Sequence, residues 1–256
     1  MTLLLVAHGT RDPAGTTVIE ALAARVRHRL PGARVSIAYA DVRQPNVTTA
    51  LRHLPRVQRS EPASPTLRTR ESPVPARESP VLDRESPVVV VPAFLVAGYH
   101  VRVDIPGQIR RSGRRAILTR PLGTAAVPAA YARLLESGWR RGDPVVLAAA
   151  GSSDRAALAE VGAAAERLGR LVGGPVHVGY TATAAPRIAD VVAGIRGRVA
   201  VASWLLAPGR FHQVAARSGA ATVAAPIGDH SLVADLVAAR YHAAGIIEPA
   251  TTLVGA

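Results

Sequence analysis

Three polar residues of this chain stand where chemistry could occur, because each follows an apolar run that predicts a β-strand. His8 ends the first run, Asp41 lies just after the second, and His100 follows the third at the start of a predicted helix. Ligands bind beyond the carboxyl ends of parallel strands, which lie about 5 Å apart, so the three side chains are expected to converge. Two imidazoles and a carboxylate suit Fe²⁺, Co²⁺, Ni²⁺ or Zn²⁺ and leave coordination positions open, as a catalytic metal requires.

Each of these residues also has a purely structural interpretation. His8 could satisfy backbone groups at a strand end, and His100 could be a polar residue in the first turn of a helix. Asp41 could cap the helix predicted to begin near Pro45. The convergence of all three at one edge of a sheet favours a site over three separate structural roles.

The elements that must position these residues alternate between apolar runs and amphipathic stretches rich in Ala, Leu and Arg. The predicted strands are 2–7, 34–39, 88–93, 115–119, 144–149, 175–180, 198–204 and 221–225. The predicted helices are 15–30, 45–54, 101–112, 125–137, 155–171, 186–195, 210–218 and 230–243. Near-continuous apolar strands are typical of a parallel sheet with helices on both faces. The pattern therefore predicts an α/β fold of two flavodoxin-like halves, each with a parallel sheet flanked by helices.

The two halves are an internal repeat. The matching segments are LLLVAHGTRD (3–12) with VVLAAAGSSD (145–154), VVVVPAFLVAGYH (88–100) with VAVASWLLAPGRFH (199–212), and RPLG (120–123) with APIG (225–228). We predict an N-terminal half at 1–138 that carries the active site and a degenerate C-terminal half at 143–256.

The second half differs from the first at the polar positions. Ala150 stands in place of His8, and Ala182 stands in place of Asp41. His212 matches His100 and is expected to face the substrate or to be vestigial. A complete second site is therefore not expected.

The segment 58–87 departs from this organisation. The unit RESPV recurs with a period of seven at 70–74, 77–81 and 84–88. A proline in every unit excludes a helix, so we predict a disordered low-complexity insertion between a helix and the next strand. Neutral expansion of a tolerant surface loop is favoured over a phosphorylation or docking role for the Ser-Pro units.

Composition limits the class of protein. The chain has 256 residues and no cysteine, which excludes disulfides, thiolate metal ligands and cysteine nucleophiles. All 31 basic residues are arginine against 18 acids, and the net charge of +13 suggests an anionic partner. The scarcity of aromatic residues (4%) and the lack of a recognition motif argue against nucleic acid as that partner. The first apolar run is too short for a signal peptide or a membrane span, so a cytoplasmic protein is expected.

Three motifs taken together identify a family resemblance. The combination of AHGTRD, AYADVRQP and PAFLVAGYHVRVDIP resembles the class II tetrapyrrole chelatases, and more narrowly the cobalt or iron sirohydrochlorin chelatases. The resemblance implies two similar halves that face each other across a cleft holding the macrocycle. It implies that His8 is a proton acceptor and metal ligand and that His100 is a second metal ligand. Asp41 lies near a position where relatives often carry Glu, and Arg43 and the run Leu95, Val96, Ala97, Gly98, Tyr99 and His100 would contact the substrate.

The implied activity is insertion of Fe²⁺ or Co²⁺ into sirohydrochlorin, with release of two protons, in sirohaem or cobalamin biosynthesis. Histidine is the natural base near neutral pH, and activity should fall in acid because only a neutral imidazole takes a proton or a metal. No permanently bound cofactor is expected; the divalent metal (Co²⁺, Fe²⁺ or Ni²⁺) is a substrate. Arginines of the cleft, with Arg11, Arg43 and Arg102 as candidates, would pair with the substrate carboxylates.

Two alternatives stay open at this point. One is a ferrochelatase that acts on another tetrapyrrole, and the other is a non-catalytic carrier of a tetrapyrrole or metal. Neither nucleic acid nor a membrane is expected as a partner. The chain could act as a monomer or a homodimer, since two halves suffice to form one cleft.

Overall fold

The computed structural model describes residues 1–56 and 86–246. The predicted disordered insertion at 58–87 lies outside these residues, apart from Ser86 and Pro87. Within the described ranges, every strand and helix predicted from the sequence is present, with ends that differ by a few residues.

The described residues of the first half form four strands, four helices and two short turns of other helical types. Its elements are β1 (Thr2–Ala7), α1 (Pro13–Arg29), β2 (Arg34–Tyr39), α2 (Val47–His53), β3 (Val88–Pro92), a π-helical turn (His100–Asp104), α3 (Ile105–Ser112), β4 (Ala116–Leu118), a 3₁₀ turn (Gly123–Ala126) and α4 (Val127–Glu136).

The second half repeats this order without the two short turns. Its elements are β5 (Val145–Ala149), α5 (Arg155–Val172), β6 (Val176–Tyr180), α6 (Ile188–Gly194), β7 (Ala200–Trp204), α7 (Arg210–Ala216), β8 (Thr222–Val223) and α8 (Ser231–Ile246).

In the ranges that the structure describes, each half has one four-stranded parallel sheet. The strand orders are β2-β1-β3-β4 and β6-β5-β7-β8, so the two halves have the same topology. The predicted α/β fold of two similar halves is confirmed. The central strands β1 and β5 are buried along their whole length, which explains why their sequences are uninterrupted apolar runs.

Alternate residues of β1 pack against different layers of helices. Leu3 and Leu5 belong to a core shared with α1, whereas Leu4 and Val6 belong to a second core that contains Val47 of α2 and Ile105 of α3. Successive strand side chains point to opposite faces, so a strand covered on both sides must be apolar at every position. This packing fixes the end of β1, and with it the place of His8.

The motif that the halves share after their first strand is a helix cap. Asp12 and Asp154 are the N-caps of α1 and α5, and their Oδ1 atoms accept hydrogen bonds from Ala14 N–H (2.9 Å) and Ala156 N–H (2.8 Å). The hydroxyls of Thr10 and Ser152 accept from the N–H groups of these aspartates. The repeat thus preserves the residues that begin a helix and varies the residue before them, His8 or Ala150.

The last helix of each half packs on the other half. Helix α4 contacts β7 and α5 of the second half, and α8 contacts α1 and β3 of the first. The ion pair between Arg29 and Asp235 and the bond from the Tyr241 hydroxyl to the Met1 carbonyl (3.1 Å) join α8 to the first half. The two halves are therefore held in a fixed relation by exchanged helices.

Within the described part of the chain, no helix combines the length and the apolar character that crossing a membrane would need.

Candidate functional site

A cavity of about 470 Å³ lies between the two halves, at the carboxyl ends of the strands. Four strand-end segments line it: the turns after β1 and β5 and the loops after β3 and β7. Most of the lining is apolar, with hydroxyls from Thr10 and Ser152. This is the position at which parallel α/β sheets bind ligands, and an apolar cavity with few polar groups suits a largely hydrophobic ligand.

His8 and His100 lie side by side in this cavity. Their ring centroids are 4.6 Å apart, and the ring planes are nearly perpendicular at 84°. Phe94 packs beside both, with centroid distances of 6.2 Å to His8 and 6.4 Å to His100. The sequence predicted that these histidines converge, and the structure brings them together.

One nitrogen of each imidazole is occupied by a neighbour. His8 Nδ1–H donates to the Gly9 carbonyl (3.1 Å), and His100 Nδ1–H donates to Asp104 Oδ2 (3.1 Å). A carbonyl or carboxylate oxygen can only accept, so these bonds place the proton on Nδ1 in both rings. The Nε2 lone pairs are left for a ligand, and each can accept a proton or bind a divalent metal.

The two histidines do not form a closed metal site. In the ranges 1–56 and 86–246 no group of three or more His, Cys, Asp or Glu side chains is placed to hold a metal ion. A metal bound here would have two imidazole ligands and several open positions, which is the arrangement that allows a metal to be passed on.

His100 begins a π-helical turn that the sequence did not predict. The sequence predicted one helix over 101–112, whereas Ile105 N–H bonds to the His100 carbonyl in a wider turn and α3 starts at Ile105. Pro106 explains the change, because it has no N–H to bond the Arg102 carbonyl and its ring crowds that oxygen. The π turn places His100 and Asp104 on the same side, within hydrogen-bonding distance.

Asp41 is tied to His8 through the backbone, while its side chain lies elsewhere. Asp41 N–H donates to the His8 carbonyl (3.0 Å), and Asp41 Oδ1 accepts from Val42 N–H (2.7 Å). The residue lines a separate polar pocket beside α2 and α3 and is not part of the described lining of the cavity. The alternative that Asp41 caps α2 is wrong, since the cap is Asn46, whose Oδ1 accepts from Thr49 N–H (2.8 Å).

Arg43 lies next to the cavity without lining it. Its guanidinium donates to the Thr10 carbonyl (3.2 Å), and it shares the polar pocket with Asp41. Tyr39 is a buried wall residue of the cavity. Burial raises the pKa of the Tyr39 phenol, and the nearby Arg43 guanidinium opposes that rise, so Tyr39 is a neutral wall of the cavity at physiological pH.

Most of the segment from Leu95 to His100, expected to contact the substrate, lies along the cavity. Leu95, Val96, Gly98, Tyr99 and His100 all line the cavity. Ala97 does not line it; its N–H donates to Glu160 Oε2 of α5 (2.7 Å), which anchors the loop to the second half. Tyr99 is 68% exposed at the cavity mouth.

The second half lacks the polar groups of the site. Ala182 N–H donates to the Ala150 carbonyl as Asp41 N–H does to His8, so Ala150 and Ala182 are the structural equivalents of His8 and Asp41. The central strands keep the same register in both halves: Pro92 and Ser203 pair with the equivalent residues Val6 and Ala148.

Counting on from those strands puts Phe211, and not His212, at the place of His100. Phe211 lines the cavity, whereas His212 is not part of the described lining and its Nε2 lies 3.2 Å from the Ala224 carbonyl. The loop after β7 is one residue longer before its histidine than the loop after β3, which a sequence alignment hides.

The described lining of the cavity does not include the arginines that the sequence suggested for it. Arg102 pairs with Glu160 (3.1 Å) and lies 3.8 Å from Asp154, and neither Arg102 nor Arg11 belongs to the described lining. Acidic side chains of the second half hold Arg102 away from the cavity. Among the lining residues that the structure describes, the cation is Arg210, at the start of α7.

Comparison with known proteins now identifies the family. The family model CbiX matches residues 2–60, 77–135 and 144–244 of this chain. The chain belongs to the CbiX family. No curated protein matches the chain significantly.

Three solved structures share this fold over nearly the whole chain. SirB from Bacillus subtilis with Fe³⁺ has a TM-score of 0.68 at 19% identity, over 96% of this chain and 95% of that one. The sirohydrochlorin chelatase SirB from B. subtilis subspecies spizizenii, in complex with cobalt, has a TM-score of 0.67 at 18% identity, over 95% of each chain. A CbiX described as the terminal enzyme of siroheme biosynthesis in denitrifying bacteria has a TM-score of 0.65 at 22% identity, over 95% of this chain and 99% of that one.

Four residues of this CbiX-family site were not found from the sequence. They are Phe94, Asp104, Glu160 and Arg210. Asp104 had a usable signal, because it follows His100 by four residues in a predicted helix and such pairs meet on one face. Glu160 and Arg210 had none, since they reach the site from the second half through tertiary contacts.

Gly9 allows the turn after β1 to pack closely against the loop that contains Asp41. Replacing this glycine should therefore lower the stability of the fold. The φ of Gly9 is +97°, and a Cβ at this position would overlap the Asp41 carbonyl oxygen. Gly9→Ala should cost on the order of 1–3 kcal/mol, because both the positive φ and the close approach need a glycine. Thermal unfolding would measure the loss against Gly32→Ala, whose Cβ would meet nothing within 4 Å. Equal unfolding temperatures for the two variants would contradict the prediction.

Proposed function

We propose that this CbiX-family protein is a sirohydrochlorin chelatase that inserts Fe²⁺ or Co²⁺ into its tetrapyrrole substrate, in sirohaem or cobalamin biosynthesis. The observation that carries the proposal is the pair His8 and His100, whose ring centroids lie 4.6 Å apart and whose Nε2 atoms are free, on the wall of a mostly apolar cavity. Family membership and a fold shared with SirB and CbiX structures support it.

The cavity fits the two parts of such a substrate. The faces of a tetrapyrrole ring are apolar, and the walls offer Leu95, Val96, Leu158, Leu205 and Leu206. Carboxylate substituents lie at the ring edge and would stay at the open mouth, in contact with water. Burying the ring faces while leaving the charges solvated avoids the cost of desolvating carboxylates.

The reaction removes the two pyrrole N–H protons and binds the metal to all four ring nitrogens, so one M²⁺ enters and two H⁺ leave. His8 accepts the two protons one after the other at Nε2 and passes each to water, since the residue is exposed at the cavity. His100 presents its Nε2 to the metal. His8 also contacts the metal before proton transfer, because one lone pair cannot hold a proton and a metal at once.

The few ligands available suit a metal that must leave. Two imidazoles bind Fe²⁺ or Co²⁺ without the high affinity of a closed site of four ligands, so transfer to four pyrrole nitrogens is favourable. The catalytic role of Asp41 stays a prediction, because its carboxylate lines the neighbouring polar pocket.

An anaerobic absorbance time course tests the proposal. The protein is mixed with excess sirohydrochlorin and either Co²⁺ or Fe²⁺, and the tetrapyrrole spectrum is followed. Conversion of all the substrate by substoichiometric protein, faster than without protein, is expected. A spectral change that stops at one equivalent of protein would indicate a carrier, and activity confined to a dicarboxylate tetrapyrrole would indicate another ferrochelatase.

Arg210 is expected to recognise one substrate carboxylate. Arg210→Met should raise the KM for sirohydrochlorin about two- to five-fold with kcat unchanged, because an exposed ion pair contributes up to about 1 kcal/mol. The KM for a dicarboxylate tetrapyrrole should change less. Arg217→Met, at the other end of α7 and outside the described cavity lining, is the matched control. Equal KM values for Arg210→Met and the unmodified protein would remove Arg210 from the substrate site.

A further inference from the structure

A chain of hydrogen bonds connects His100 to the interior of the first half. Asp104 Oδ2 accepts from His100 Nδ1–H (3.1 Å), and Asp104 Oδ1 accepts from Gln108 Nε2 (3.2 Å). Gln108 is 5% exposed, and its Nε2 also donates to the Ala40 carbonyl (2.9 Å). Its Oε1 accepts from Val47 N–H (2.9 Å), so the chain reaches the end of β2 and the start of α2.

The direction of every bond in this chain is fixed by the backbone groups at its end. The Ala40 carbonyl can only accept and the Val47 N–H can only donate, so the Gln108 amide has one orientation. Gln108 must therefore present its NH₂ to Asp104. Asp104 must therefore accept a hydrogen bond at both side-chain oxygens, which a carboxylate can do and an amide cannot.

We propose that Asp104, held by Gln108, is a positioning residue that fixes the tautomer and the ring orientation of His100. Because both Asp104 oxygens accept, His100 must carry its proton on Nδ1 and present the Nε2 lone pair to the cavity. An unconstrained imidazole would divide its population between the two tautomers and several ring angles. The hydrogen bond to Asp104 selects one tautomer and one ring orientation, and it makes the free Nε2 a better metal ligand. Its importance for catalysis rests on the proposed chelatase function, whereas the tautomer does not.

The second half lacks this chain together with its histidine. Counted from the paired strands, Phe211 stands at the place of His100 and Ala215 at the place of Asp104. Ala215 is fully buried in the apolar core of the second half. The partner carboxylate is thus present in the half that has an imidazole to orient and absent from the half that has none.

Asp104→Asn tests the inference with Co²⁺ alone and no tetrapyrrole. Asparagine has the size of aspartate, but its NH₂ group must face the N–H of either His100 or Gln108. Two donors cannot form a hydrogen bond with each other. The dissociation constant for Co²⁺, followed by visible absorption, should rise about 10- to 100-fold, the usual effect of losing such a partner of a metal-binding histidine. Asp190→Asn, an exposed carboxylate on α6, is the matched control and should bind Co²⁺ like the unmodified protein.

The ¹⁵N spectrum of the histidine rings gives a signature that general loosening of the fold would not move. In the metal-free protein, His100 should show a protonated Nδ1 and an unprotonated Nε2, assigned by the signals lost in His100→Gln. In Asp104→Asn the ring should shift towards the Nε2–H form. Gln108→Met, which frees Asp104 at one oxygen, should produce a smaller shift in the same direction.

The outcomes separate this inference from the proposed function. An unchanged His100 tautomer and an unchanged Co²⁺ dissociation constant in a folded Asp104→Asn protein would overturn the positioning role, whatever the activity. Failure of the unmodified protein to insert metal would overturn the chelatase proposal and leave the tautomer result standing. If Gln108→Met unfolds, Asp104→Asn alone decides the matter.

Discussion

His8→Ala should lower the rate of metal insertion by about 10²- to 10⁴-fold, the range typical for removal of a general base. The variant removes the proton acceptor and one of the two imidazole nitrogens that face the cavity. The fold should be unaffected, because His8 is exposed and its side-chain hydrogen bond goes only to the adjacent Gly9 carbonyl. The insertion rate is measured from the tetrapyrrole absorbance, and thermal unfolding shows that the variant is folded.

The matched control for this variant is His177→Ala, which removes an exposed histidine from β6 of the second half. It should retain full activity. Free imidazole added to His8→Ala should restore part of the rate, because the side chain leaves an open space that a small base can occupy. Unchanged turnover in a folded His8→Ala protein would remove His8 from the chemistry and with it the site as proposed.

His100→Ala should raise the KM for the metal at least about ten-fold, with a similar rise in the Co²⁺ dissociation constant, because one of two protein ligands is lost. The substrate-free cavity should otherwise keep its shape, since Phe94 and the π turn remain. Activity at increasing Co²⁺ concentrations and Co²⁺ binding in the absence of tetrapyrrole measure the two effects separately.

His212→Ala provides the comparison in the second half. Its ring lies against the Ala224 carbonyl and outside the described cavity lining, so the metal KM should stay within about two-fold of the unmodified value. If His212→Ala proves as damaging as His100→Ala, then the second half supplies a ligand, and the idea of a single working half is wrong.

The sequence alone was sufficient for the architecture of each half. Runs such as Leu3–Val6, which are buried at every position, indicate strands covered on both faces. They can be recognised in the sequence because burial on both faces excludes polar residues. The repeat revealed that the halves share a topology. The pairing of Ala150 with His8 and of Ala182 with Asp41 showed which half keeps its polar groups, and the backbone bonds bear out both equivalences.

The sequence also located the histidine pair, because strand ends converge in any parallel sheet. It could not decide where longer or competing side chains go. Asp41 and Arg102 lie in predicted places on the backbone, yet Asp41 turns to a neighbouring pocket and Arg102 turns to Glu160. Their orientation depends on partners that are distant in sequence.

Only the tertiary structure decided how the halves form one cavity. Helices α4 and α8 each bury an apolar face, but the sheet that each covers belongs to the other half. Similarly, the Asp104–Gln108 chain ends on backbone groups just after β2 and at the start of α2. Strand and helix patterns arise from the burial of near neighbours and can be read along the chain. Long-range packing decides which of several apolar surfaces a helix covers and which of several acceptors a donor bonds. Such packing produces no periodic pattern in the sequence.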